Sequence, residues 1–162
     1  MRQDCIRSLQ RPVGAPLTSS AVSLSARDET TIRSIAGAIG VAKNVGFGAA
    51  VSYNDVENTV SAYLDDSVLT TTGSLGIEAD SAGLIETIAA GVGGGKTVGL
   101  AGSVTLNSIA NTVDAHIGDG AIIEAGNISL SSNDVAQINS LAGALAGAGT
   151  AAVAAAVAVN EI

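Results

Sequence analysis

The chain repeats itself. Ile32, Ile85 and Ile138 stand 53 residues apart, and the register between them runs on without a gap. Val45 falls on Val98 and Ala151, Val51 on Val104 and Val157, and Asn54 on Asn107 and Asn160. Farther along, Asn58-Thr59-Val60 matches Asn111-Thr112-Val113, Asp66 matches Asp119, and Gly73 matches Gly126. Self-similarity at a fixed period marks a stacked architecture, in which each unit buries its apolar surface only against its neighbours. The matching begins near Val22. It divides the 162 residues into a leader, 1–21, a partial unit, 22–31, two full units, 32–84 and 85–137, and a truncated unit, 138–162. Neither end carries the dissimilar polar cap that closes such stacks, so the sequence reads as part of a longer array behind a disordered or non-native leader.

Each unit alternates as a strand does. Val60, Ala62 and Leu64 fall on one side and Thr59, Ser61 and Tyr63 on the other, and the next copy repeats the pattern with Val113, Ala115 and Ile117. Further short strands are expected at Leu75–Ala79 and Ile128–Ser132, after glycine-containing corners. The Gly/Ala segments also fit a helical spacing, as in Ile32, Ile35, Ala36 and Ile39. Against a helix stand the glycines at 37, 40, 91, 93, 94 and 95, each costing about 1 kcal/mol relative to Ala. Strands are therefore preferred. With 20 Gly, 47% hydrophobic residues, 2% aromatics and no Trp, the core must be thin, and backbones must approach until small side chains touch. The expected fold is all-β: a parallel β-solenoid (β-helix) of 53-residue repeats, with about five short strands and roughly two turns per repeat. The alternatives are an antiparallel β-sandwich, with Gly94–Thr97 as a hairpin turn, and a mixed fold with short helices at the Gly/Ala segments.

Charge narrows the function classes. The net charge is -8, and residues 22–162 hold four basic against fourteen acidic side chains. Phosphate neutralisation needs clustered Lys and Arg, so no nucleic-acid partner is expected. The lone Cys5 cannot form an internal disulfide and leaves the redox compartment open. No run approaches the ~20 apolar residues of a membrane helix, so no membrane span is expected. The start has basic residues but no apolar stretch, unlike a signal peptide.

Three motifs invite a chemical reading. Ala90-Gly91-Val92-Gly93-Gly94-Gly95-Lys96-Thr97 fits a relaxed phosphate-loop pattern, but a strand pattern follows where a helix is required, and the other copies lack it. A solvated turn and no nucleotide are expected. His116, the sole histidine, falls on Tyr63 in the repeat register and has no partner for a triad or zinc site. Gly118-Asp119-Gly120-Ala121 echoes calcium-binding repeats without their nine-residue iteration. No catalytic, cofactor-binding or metal-binding set is therefore expected. The residues singled out are structural: Asn54, Asn107 and Asn160, with Asn58 and Asn111, recur at one phase and suit a corner ladder whose amides bond along the stack.

The phrases IAGAIGVAKNVGFGAAVSYNDVENTVSAYLDDS, IAAGVGGGKTVGLAGSVTLNSIANTVDAHIGDGAIIEAGNISLSS and LAGALAGAGTAAVAAAVAVNEI resemble the Gly/Ala-rich repeats of large bacterial exoproteins of the filamentous-haemagglutinin-like adhesin and leukotoxin type. The resemblance covers residues 22–162 and implies a secreted or cell-surface location. It also implies a non-catalytic role as the stalk or presenting surface of an adhesin, with a host-cell surface as partner. Self-association through open solenoid ends is a second expected partnership. The alternative function is a fragment of a secreted pore-forming or leukotoxin-like toxin.

Overall fold

The computed structural model describes the backbone of residues 2–9 and 17–162, and side chains from residue 20 onward. Among the described residues ten strands form: β1 (Arg2–Leu9), β2 (Leu17–Ser19), β3 (Val22–Ala42), β4 (Val45–Leu64), β5 (Val68–Thr71), β6 (Ser74–Gly95), β7 (Val98–Ile117), β8 (Ile122–Glu124), β9 (Asn127–Ala148) and β10 (Ala151–Glu161). The described residues hold no helix, so the Gly/Ala segments are strands. Three sheets result, ordered β1-β4-β7-β10, β2-β5-β8 and β3-β6-β9. Every third strand thus returns to the same sheet, and β10 lies on β7 in parallel with Ala151 opposite Val98 and Asn160 opposite Asn107.

Two expectations are corrected here. One 53-residue repeat makes a single pass through three strands rather than two turns of about five. The Gly/Ala segment that follows Asn44 and the alternating stretch Thr59–Leu64 merge into β4, because no Pro, Gly or turn dipeptide interrupts the alternation between Asn54 and Thr59. The Gly94–Thr97 segment is not a hairpin. The strands on either side, β6 and β7, belong to different sheets, and the Lys96-Thr97 corner stacks on the one before it, Thr97 N–H donating to Asn44 O at 3.0 Å.

Residues 2–9 and 17–19 also differ from the leader read in the sequence. They form β1 and β2, which pair in parallel with β4 and β5, Arg2 opposite Glu57 and Leu17 opposite Leu69. The edges of β4 and β5 offer rows of N–H and C=O groups, and this pairing satisfies them. Positions 1 and 10–16 of that leader lie outside the described residues.

The chain divides into two compact units. Unit 1 comprises 1–29, 56–82 and 110–136, and unit 2 comprises 30–55, 83–109 and 137–162. Unit 1 has an apolar interior. Val60, Ala62 and Leu64 of β4 pack with Leu69 of β5 and with Leu75, Ile77 and Ala79 of β6. Val113, Ala115 and Ile117 lie against this cluster, partly buried. Each fully buried Leu or Ile contributes about 1.5–3 kcal/mol, which makes this cluster the main apolar stabiliser of the unit. Its corners hold a local break in register between successive repeats. Asp66 N–H bonds Asp119 O and Gly126 N–H bonds Gly73 O, both in the 53-residue phase, yet between them Val68 pairs with Ile122. Gly120, at φ 73°, admits the extra corner residue in a conformation that side chains disfavour.

Unit 2 is built the other way round. Apart from the buried Ile85 and Ile109, its inward positions are mostly Gly, Ala, Ser, Thr and Asn, while Ile35, Phe47 and Val51 are 84%, 65% and 67% exposed. The two sheets approach so closely that a Cβ on Gly93 would collide with the Leu100 carbonyl, and one on Gly91 with that of Gly102. Stacked sheets ordinarily sit ~10 Å apart with side chains between them; here the backbones themselves meet. Gly93→Ala should therefore destabilise the fold by about 1–3 kcal/mol through overpacking. At Gly143 an added Cβ meets nothing within 4 Å, and Gly143→Ala should be neutral or stabilise by up to about 1 kcal/mol. Urea denaturation of both variants checks the difference, and equal midpoints would contradict the close approach.

Candidate functional site

Within unit 2 a set of mostly buried polar side chains forms one connected row. Asn54 Nδ2 donates to Asn107 Oδ1 at 2.8 Å, and Asn107 Nδ2 donates to Asn160 Oδ1 at 2.9 Å. The three amides lie on β4, β7 and β10 at aligned positions, because parallel pairing at a 53-residue offset sets each asparagine beside its counterpart. They sit within strands rather than at corners. Thr87 of β6 also donates to Asn107 Oδ1, at 3.0 Å, and lies 3.1 Å from the Ser34 hydroxyl of β3. Ser52 of β4 joins the row through Ser34 at 2.9 Å. Sequence reasoning missed Ser34, Ser52 and Thr87. The available signal was a hydroxyl residue at a fixed phase, with Ser34, Thr87 and Ser140 at 53-residue intervals.

Asn58 and Asn111, in unit 1, take different partners. Asn58 Nδ2 donates to Asp28 Oδ2 at 2.8 Å, and Asn111 Nδ2 donates to Asp134 Oδ1 at 2.9 Å. Each ties an amide of the β4 or β7 sheet to a carboxylate of the β3 or β9 strand, and no bond joins one amide to the other. Asn58 is 1% exposed, so a charge-assisted bond offsets the desolvation of its Nδ2 group.

The residues with titrating chemistry gather elsewhere on unit 1. His116 stacks on Tyr63, ring centroids 5.1 Å apart and nearly parallel, and its Nδ1 lies 2.5 Å from Asp114 Oδ2. His116 lines a shallow hollow with Asp65, Asp66, Gly118 and Asp119, which brings the Asp65-Asp66 pair beside the calcium-like Gly118-Asp119-Gly120 segment. Among the described residues no three His, Cys, Asp or Glu side chains are grouped so as to hold a metal ion. The phosphate-loop residues Ala90–Gly95 end β6, and Lys96-Thr97 form the corner before β7, so a strand stands where a phosphate cradle requires a helix N-terminus.

The asparagine row acts through hydrogen bonding alone, since amides and hydroxyls carry no proton that moves near neutral pH. Asn107, at its centre, accepts from two neighbours and donates to a third. Asn107→Ala should cost about 1–3 kcal/mol by stranding those partners, whereas Asn160→Ala, at the exposed end of the row, should stay within about 0.5 kcal/mol. Thermal unfolding of the two variants compares them directly, and equal effects would mean that the row adds no stability.

No protein-family model, no curated protein sequence and no solved structure matches this chain.

Proposed function

We propose that this chain is a segment of a parallel β-solenoid with one 53-residue repeat per turn, serving as a non-catalytic stalk or presenting surface of a secreted or cell-surface adhesin. The observation that carries the reading is the return of β4, β7 and β10 to one sheet with like residues stacked on like. Such an arrangement extends by adding further repeats, and its stability comes from neighbour contacts rather than from a closed core. The dominant acidic charge suits an extended Gly/Ala-rich surface that must stay soluble, and the resemblance to bacterial exoprotein repeats supplies the location. The functional chemistry is then presentation: rows of similar side chains at the strand-to-strand spacing of ~4.8 Å, not turnover of a substrate.

The open edge provides the test. Among the described residues β10 pairs only with β7, and its Ala and Val residues carry no charge between Ala151 and Val159, so its outer backbone groups invite another strand. Concentration-dependent self-association through β10 is expected. Ala156 aligns with the buried Ser103 and so faces inward, where a charge blocks further pairing. Sedimentation of the wild type and Ala156→Lys at matched concentrations should show association in the first and its loss in the second. Monomeric behaviour of both would overturn extension by edge pairing.

A further inference from the structure

Between polar borders, the outer faces of unit 2 carry uninterrupted apolar bands. On β3, β6 and β9 the outward positions run from Ile35 to Val41 and through their equivalents 88–94 and 141–147; on β4, β7 and β10 they run from Val45 to Tyr53 and through 98–106 and 151–159. Every one of these alternate positions is Ile, Val, Leu, Phe, Tyr, Ala or Gly. The exposures are large: Ile39 79%, Leu145 71%, Val153 59%. The chain's single Phe and one of its two Tyr residues stand on this outside, not in a core. Soluble monomers rarely expose contiguous apolar surface on this scale, and here it covers both sheets of the unit.

Charge is confined to the two ends of these apolar bands. Arg33, ion-paired to Glu86 at 2.6 Å, and Asp55 and Glu161 border one end. At the other lie the only two lysines of the protein, Lys43 and Lys96, both exposed and both in the corners that join β3 to β4 and β6 to β7. Those corners stack on each other through Thr97 N–H and Asn44 O, which sets two cations side by side in a chain that is otherwise acidic. The band from Val45 to Tyr53 spans nine residues, about 30 Å at the strand rise, which matches the hydrocarbon thickness of a bilayer. Inside, Ser34, Ser52, Asn54, Thr87, Asn107 and Asn160 are bonded to one another, most other inward positions are Gly or Ala, and the strands bond laterally, as hydrocarbon demands of any backbone within it. None of the described residues lies in a helix long and apolar enough to cross a membrane, so any entry into lipid falls to strands.

We propose that unit 2 is a lipid-entering element: its lysine corners meet an anionic headgroup surface and its two apolar faces pass into the hydrocarbon layer. A second copy of this chain is the competing occupant, but a dimer covers one face, whereas both faces are apolar here. The corner cations complement anionic lipid specifically. The proposal stands independently of the adhesin reading, since it rests on the outward residues alone.

The test uses the full chain with Cys5→Ser and one labelled cysteine at a time: Ile39→Cys on one face, Val51→Cys on the other, and Glu78→Cys on the exposed surface of unit 1. An environment-sensitive fluorophore at each reports contact with vesicles of phosphatidylcholine containing phosphatidylglycerol. Emission should move to the blue at positions 39 and 51 and stay unchanged at 78. Lys43→Gln/Lys96→Gln, which leaves both faces intact, should weaken binding to these vesicles by roughly tenfold and have little effect with phosphatidylcholine alone. Failure to float with vesicles, or a response at one face only, overturns the proposal. A blue shift that grows with protein concentration in the absence of lipid also overturns it, by identifying the occupant as a second copy. None of these outcomes depends on whether Ala156→Lys alters sedimentation.

Discussion

Parallel hydrogen bonding at a constant offset is the constraint on which the rest depends. Once β10 lies on β7 with a 53-residue shift, every side chain stands beside its counterpart in the next repeat. A residue that tolerates its own kind as a neighbour is reinforced, and one that does not is repeated as a fault. Asparagine meets the condition well, because an amide donates upward and accepts from below, and Asn54, Asn107 and Asn160 do so. Carboxylates meet it badly. The inward-reaching Asp28 and Asp134 instead bond asparagines across the sheets.

The same rule explains two different interiors. In unit 1, Leu64, Leu69, Leu75 and Ile77 supply a conventional apolar core. Unit 2 has replaced side-chain packing by backbone packing, with Gly91 and Gly93 admitting the carbonyls of Gly102 and Leu100. Such an interior buries little apolar area per residue, so the large side chains that a protein ordinarily hides are free to stand outside. Hydrogen bonds among Ser34, Thr87, Asn54 and Asn107 then hold the sheets together where dispersion is weak.

The corners carry the departures from strict repetition. Val68 pairs with Ile122 although the flanking corner residues keep the common phase, and the difference is absorbed where Gly120 adopts positive φ. A corner can gain a residue because its backbone is not fixed by a ladder on both sides. A strand cannot, since a shift of one residue would turn every inward side chain outward.

The sequence by itself determined the period, the strand character and the inward phase of Val60, Ala62 and Leu64, because translation and alternation are properties of residue order alone. It also displayed the common phase of Asn54, Asn107 and Asn160. What only tertiary structure decided was how far each strand runs, and hence that one repeat is one pass of three strands: continuity of a strand is set by its neighbour's hydrogen bonds, and β4 continues through Asn54–Asn58 because its inward amides find partners. The side on which the Gly/Ala segments face inward was equally hidden. Alternating Gly with Val or Ile gives two faces that both read as apolar, and only the approach of the opposing backbone selects the glycine face for the interior. The strands at 2–9 and 17–19 escaped the period altogether, since they pair at offsets of 55 and 52 residues, and a backbone edge accepts a strand without regard to whether its sequence repeats.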